Sequence, residues 1–276
     1  MNLRKALWRL AGGFAVVSAV CAFQRPFRQY PGVEYEDFPL PPDWQEKAEW
    51  AFARLMYPEV RGASRGYFRS GYGDWTHGYS IWTQDYPRAD RHFSQALRRL
   101  SRVQVRSVEQ PVNLDDGDDV FNWPWIYATH EGEWALTDAQ VTKLRDYLLR
   151  GGFFMADDFH GTVEWAGFEA GIKRVFPDRA ILEIENTDAI FHTVYDLDNR
   201  FQLVGRAFLW RGYKNDGLGG HWRGIFDDKG RIMVAISFNS DTGDAWEWAD
   251  DASYPEKFSG LAMRMGVNYV VYSMTH

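Results

Sequence analysis

Cysteine is nearly missing: Cys21 is the only one in 276 residues. A disulfide framework and a cysteine-ligated zinc site are excluded with it. Beyond the first 23 residues no apolar run is long enough to cross a bilayer, which excludes a multi-span membrane protein. The histidines show no HxH, HxxxH or HExxH spacing, and the glycines form neither GxGxxG nor a P-loop, so nucleotide binding has no motif behind it. Acidic residues are absent from residues 1–33, where Arg4, Lys5, Arg9, Arg25 and Arg28 give +5. With −7 over the whole chain, residues 34–276 carry −12. An acidic body excludes the basic footprint that nucleic acid rewards. No cofactor is implied.

What is present is ordinary globular composition, 45% hydrophobic and 25% charged. The exception is the aromatic content, 17% with 13 Trp. Such rings fill cores, and they also mark interfaces where a large apolar body needs one polar contact.

Residues 10–23, LAGGFAVVSAVCAF, are apolar or small behind a basic start. Residues 1–23 are expected to be a signal peptide or an N-terminal membrane anchor, with lipidation at Cys21 a third option. Each places the body in a periplasmic or extracytoplasmic, membrane-associated setting, with the basic end against an anionic membrane surface. Residues 24–49, with Pro26, Pro31, Pro39, Pro41 and Pro42, are expected to be a proline-rich tether. Residues 50–276 are read as one α/β domain.

Within it, 50–57 and 103–108 are predicted strands, and 58–80 is a long loop rich in Gly, Arg and aromatic residues. A helix follows Pro87, 125–129 is a strand, and Thr137 to Gln140 is a capping box opening a helix that Gly151 and Gly152 end. Residues 152–156 are a buried strand and 164–175 a helix. Strands at 207–213, 222–226 and 232–238 are joined by short connections, and a helix spans 258–274. Strand–helix–strand alternation implies a largely parallel sheet covered on both faces, with an added antiparallel section in the C-terminal half.

Asp85-Tyr86-Pro87, Gly151-Gly152-Phe153, Asp157-Asp158-Phe159-His160-Gly161, Val175-Phe176-Pro177 and Ile190-Phe191-His192-Thr193 together resemble the bacterial family catalogued as domain of unknown function 4159. The resemblance spans about residues 50–276. It implies an exported or membrane-anchored protein with a three-layer, flavodoxin-like, class I glutamine amidotransferase-like fold, a group that includes the trehalose-utilisation proteins. In that group the strand-to-helix elbow carries a nucleophilic cysteine. Here the elbow holds Asp157, Asp158 and His160, which excludes cysteine amidotransferase chemistry.

Ligands of an open α/β sheet sit beyond the carboxyl ends of its strands. The candidate catalytic residues are therefore Asp157, Asp158 and His160, with Glu164 one turn beyond and Asp85 from another strand end. A structural alternative has an elbow aspartate capping the helix and His160 bonding backbone. Asn239, Asp241 and Asp244 offer alternate oxygen ligands, but in a register that departs from the EF-hand, so an Asx-rich turn is favoured over a metal loop.

Two functions follow. The favoured one is a non-catalytic, membrane-associated interaction or scaffold module, an extrinsic subunit of a larger membrane complex, with Arg65, Tyr67, Phe68, Tyr72, Trp75 and Trp82 as the partner surface. The alternative is a carbohydrate- or small-polar-ligand-binding protein, or a hydrolase, using the Asp157/Asp158/His160 elbow.

Overall fold

The computed structural model describes residues 25–61 and 74–276. The expected leader at 1–23 and the partner residues Arg65, Tyr67, Phe68 and Tyr72 lie outside them. In chain order the regular elements are β1 (Ala53–Met56), α1 (Arg88–Leu100), β2 (Gln110–Asn113), β3 (Trp125–Thr129), α2 (Asp138–Leu149), β4 (Phe153–Asp157), α3 (Gly161–Val175), β5 (Leu182–Glu183), β6 (His221–Phe226), β7 (Ile232–Phe238), α4 (Thr242–Glu247) and α5 (Glu256–Thr275). No helix among the described residues is long and apolar enough to cross a membrane.

The strands form one seven-stranded sheet in the order β2-β1-β3-β4-β7-β6-β5. The first five run parallel, whereas β6 is antiparallel to β7 and β5 to β6. This is the α/β architecture, with the antiparallel section where the sequence puts it. Strands buried on both faces alternate between two cores. Ile126, Ala128, Phe154 and Ala156 join Leu144, Leu148, Phe168 and Ile172 of α2 and α3 on one face. Trp125, Tyr127, Phe153 and Met155 join Phe93, Leu97, Leu261 and Met265 of α1 and α5 on the other. Trp50, Phe52, Phe93, Trp125, Tyr127 and Trp246 form one continuous ring cluster there, with touching centroids 4.5–6.4 Å apart. Much of the aromatic excess is therefore core. The capping box is in place, Thr137 Oγ1 accepting from Gln140 N at 3.2 Å and Gln140 Oε1 from Thr137 N at 3.0 Å.

Two expected strands are corrected. The strand beside β1 is Gln110–Asn113, not 103–108; Val105 makes only an isolated bridge to Trp50. Pro111 is tolerated in β2 because β2 is an edge of the sheet, where a missing N–H costs little. Residues 207–213 form no strand either. Arg206–Phe208 is a 3-10 turn, and Trp210 beyond it is 83% exposed. Asp244 accepts from Arg206 N and Gly212 has φ +88°, so both ends of the run are turned out of extended geometry.

The proline-rich segment is irregular, as its prolines require, yet it packs against the body as a strap. Arg25 N donates to Asp119, Val33 N to Thr83 Oγ1 at 3.0 Å, and Tyr79 N to Pro31 O at 2.9 Å. Arg91, which pairs with buried Glu109 at 2.8 Å, also donates to Pro39 O and Gln29. A second buried pair joins β1 to α1. Arg54 holds Asp90 through Nε and Nη2, and its Nη1 donates to the carbonyls of Trp82 at 3.2 Å and Gln84 at 3.1 Å.

Candidate functional site

The adjacent parallel strands β3, β4 and β7 end at Thr129, Asp157 and Phe238. The next residue in each, His130, Asp158 or Asn239, takes a positive φ of 59°, 53° or 62°. Asp, Asn and His tolerate this left-handed conformation better than other side chains. The chain therefore turns sharply at three neighbouring strand ends. Asp85, just before α1, is a fourth such residue at φ 61°. A cleft of about 530 Å³ opens here, lined by Glu34, Gln84, Asp85, His130, Asp158, Arg206, Ala207, Phe208, Lys214, Asp241, Asp244 and Trp248.

The two elbow aspartates do different work. Asp157 is fully buried and accepts four bonds, from Thr242 N (2.8 Å), Thr242 Oγ1 (2.7 Å), Gly243 N (2.9 Å) and Tyr127 OH (2.9 Å). It cross-braces β3, β4 and α4, and does not line the cleft. Burial still pushes its carboxyl up to about 7. Asp158 does line the cleft. Its Oδ2 lies 2.8 Å from His130 Nε2, its Oδ1 2.9 Å from His160 Nε2, and Lys214 Nζ stands 3.7 Å away. An ionised carboxylate only accepts, so both rings carry a proton on Nε2. Burial alone would raise Asp158, but His130 and Lys214, with the two imidazole hydrogen bonds, hold it well below the usual carboxylate range.

His160 sits behind Asp158 as its support, with its own Nδ1 buried and unbonded. Glu164 accepts from His160 N and from Asn215 Nδ2 (2.7 Å), pinning the Lys214 loop to the elbow. Neither elbow aspartate caps α3, contrary to the structural alternative. Asp216 does so, accepting from Thr162 N and Oγ1 at 2.9 and 2.8 Å, and Gly161 at φ +75° leaves room for it.

The opposite electrostatic state prevails among the other acids. Asp241 caps α4, its Oδ1 accepting from Asp244 N at 2.8 Å. Burial first, then Asp158 and Asp244, raise Asp241 well above its ordinary value. Asp85 is 1% exposed with Oδ2 unbonded, and burial, Asp244 and Glu34 raise it likewise. Ligand oxygens of Asp85, Asp241 and Asp244 lie within 4.8 Å of one another, as do atoms of Asp158, His160 and Asp241. Asn239 does not join them: its amide bonds Gly161 N and Gly219 O at 2.9 Å each. The Asn239–Asp244 stretch thus divides into one structural amide and two cleft carboxylates.

A family described as Domain of unknown function (DUF4159) matches residues 73–274. The chain belongs to this family. No curated protein matches the chain. The DUF4159 span contributes Asp85, His130, Asp158, Lys214, Asp241 and Asp244 to the cleft, whereas Glu34 and strand β1 precede it.

Asp158 and Asp85 both line the cleft, and Asp85 comes from the turn before α1 and not from a strand end. The cleft residues without an expected role are Glu34, His130, Arg206 and Lys214. His130 follows a predicted strand directly, the same signal that singled out Asp158. Glu34 carries no local signal, because only packing of the strap brings it to Asp85 N at 3.0 Å. Of the expected partner residues, Trp75 is half-buried against the core and Trp82 is fully buried, its Nε1 donating to Trp75 O at 2.8 Å. Trp82 is corrected accordingly, since it presents no face to a partner.

Proposed function

We propose that the cleft binds a small polyhydroxylated ligand, a sugar or related polar molecule, and that Asp158 and Asp241 serve it as base and acid. The carrying observation is that two neighbouring carboxyls are driven in opposite directions, Asp158 well below the usual carboxylate range by imidazole and ammonium, Asp241 well above it by burial first and then like charge. Such a split is how one site supplies a proton acceptor and a proton donor at one pH. Asp158 accepts from a ligand hydroxyl, Lys214 orients a ligand oxygen, and Phe208 offers an apolar face to a ring, while Trp248 carries the guanidinium groups of Arg88 and Arg206.

The parallel strand order 2-1-3-4-7 supports a flavodoxin-like arrangement, whose switch point lies between β1 and β3. The elbow after β4 supports its glutamine amidotransferase-like variant. Saturation-transfer NMR with a panel of mono- and disaccharides tests the reading. At least one should bind, and Asp158→Asn and Asp241→Asn should each weaken it tenfold or more. A panel without a binder, or a binder indifferent to both changes, overturns it.

A second reading places the domain outside the cytoplasm as a membrane-associated module of a larger complex. The favouring observation is the exposure of Trp210 and Leu218 on either side of Lys214. A phosphatase fusion at Pro31 reports export. Trp210→Ala should then loosen co-purification with the membrane fraction.

A further inference from the structure

We propose that Asp85, Asp241 and Asp244 form a binding site for a divalent cation of calcium's size at the inner end of the cleft. The proposal deepens the reading of the cleft as a ligand site and rests on it.

Three carboxylates from two separate parts of the chain converge here. Asp241 and Asp244 frame the first turn of α4, and Asp85 is brought over by the turn before α1. Convergence alone is common in acidic proteins. What distinguishes this cluster is Asp85 Oδ2, an oxygen on a side chain 1% exposed that has no hydrogen-bond partner. Leaving a buried carboxylate oxygen unsatisfied costs several times more than leaving out a surface bond.

The backbone is cut back around the same oxygens. A Cβ on Gly243 would lie 2.2 Å from Asp85 Oδ2. A Cβ on Gly205 would lie 2.3 Å from Asp241 Oδ2 and 3.0 Å from Asp244 Oδ2. Two glycines, one in the first turn of α4 and one in the loop before Arg206, thus make the room these three carboxylates occupy.

The donor set decides the ion. Oxygen-only carboxylate ligands select a hard cation over zinc or copper, and the bound ion would take the place of a proton on Asp85 or Asp241. Calcium bonds oxygen at about 2.3–2.6 Å, so opposite ligands stand roughly 4.6–5.2 Å apart. Magnesium at about 2.0–2.1 Å requires tighter, octahedral closure. The three ligand atoms lie within 4.8 Å of one another, close enough to share one ion, and carboxylates carried on a turn and a short helix beside an open cleft suit calcium's flexible coordination. The open side of the cleft supplies the remaining positions from water or ligand hydroxyls, and a cation there would fix a sugar beside Asp158.

The full chain, stripped with chelator, is titrated with CaCl2, MgCl2 and ZnCl2, read by thermal unfolding and calorimetry. Calcium should bind once and raise the melting temperature by several degrees, with magnesium at least tenfold weaker. Asp85→Asn is the decisive variant, because Asn also tolerates the φ of 61°. It should melt at or above the chelated parent, having lost like-charge repulsion, and show no calcium shift. Gly205→Ala should also lose the shift. No calcium response in the parent, an undiminished response in Asp85→Asn, or tighter zinc or magnesium binding overturns the proposal. Calcium binding with no saccharide binding sinks the sugar reading alone, and saccharide binding without calcium sinks this one alone.

Discussion

Replacing Asp90 by Asn should cost far more than a surface charge, and the damage should reach the cleft. Arg54 and Asp90 are both fully buried, and Arg54 uses every nitrogen on protein acceptors. Removing one partner of such a pair strands a charge in a medium that cannot solvate it, at about 3–5 kcal/mol. Against a typical total of about 5–15 kcal/mol this is a large share. For a chain of this size it lowers the melting temperature by roughly 6–20 °C, at about 2–4 °C per kcal/mol. Urea unfolding followed by tryptophan fluorescence measures the loss. The joint change Arg54→Met with Asp90→Leu should recover most of it, because no unpaired charge remains. Arg54 has a second task, holding the carbonyls of Trp82 and Gln84 just before Asp85. The joint variant should therefore fold well and still bind calcium more weakly. The reasoning fails if Asp90→Asn loses under 1 kcal/mol, or if the joint variant is worse than either single one.

Asp157→Asn should destabilise by about 2–4 kcal/mol, since an amide cannot accept from the four donors that Asp157 satisfies; equilibrium unfolding measures this. The same residue predicts a pH slope. Its carboxyl is raised from 3.8 to about 7 by folding, so its stabilising contribution is complete below the unfolded value and is lost as pH climbs to about 7. The parent should be more stable at pH 5.5 than at pH 7.5, and Asp157→Asn should shrink the difference; Asp158, shifted downward, is silent in that window. Trp82→Ala should cost about 3–5 kcal/mol as a core cavity, and an unchanged denaturation midpoint would refute its burial. Tyr35→Phe, which removes the hydroxyl shared by Glu247 and Arg88, should speed protease cleavage within the strap, measured by limited proteolysis.

The legible parts of this fold were those written in local pattern. The capping box at Thr137, the glycine stop at Gly151 and the buried run into Asp157 each announce an element within a few residues. The strand at Gln110–Asn113 was hidden by Pro111, because an edge position is a property of the whole sheet. The run Ala207 to Tyr213 misled because its apolar residues are not all buried; what turns it is a contact between Arg206 N and Asp244, 38 positions away. For the site, the strand-end rule found Asp158, and Asp241 and Asp244 drew notice as oxygen ligands. It could not separate Asp157 from its neighbour. Which of two adjacent carboxylates faces the cleft depends on the positive φ at Asp158 and on donors from α4. Glu34 was beyond reach, since its role is set by packing of an irregular segment.

Strand β1 gives the family boundary a physical meaning. The matched span starts at residue 73, yet Ala53–Met56 sits between β2 and β3, and among the described residues β2 pairs with no other strand. A polypeptide cut to the matched span would have a gap in the middle of its sheet and not at an edge. β2 would have nothing to lie against, β3 would show an open flank to any passing strand, and Asp90 would keep its charge without Arg54. The part of the chain that can be recognised and the part that can fold are thus different lengths, and the missing piece is the keystone of the sheet.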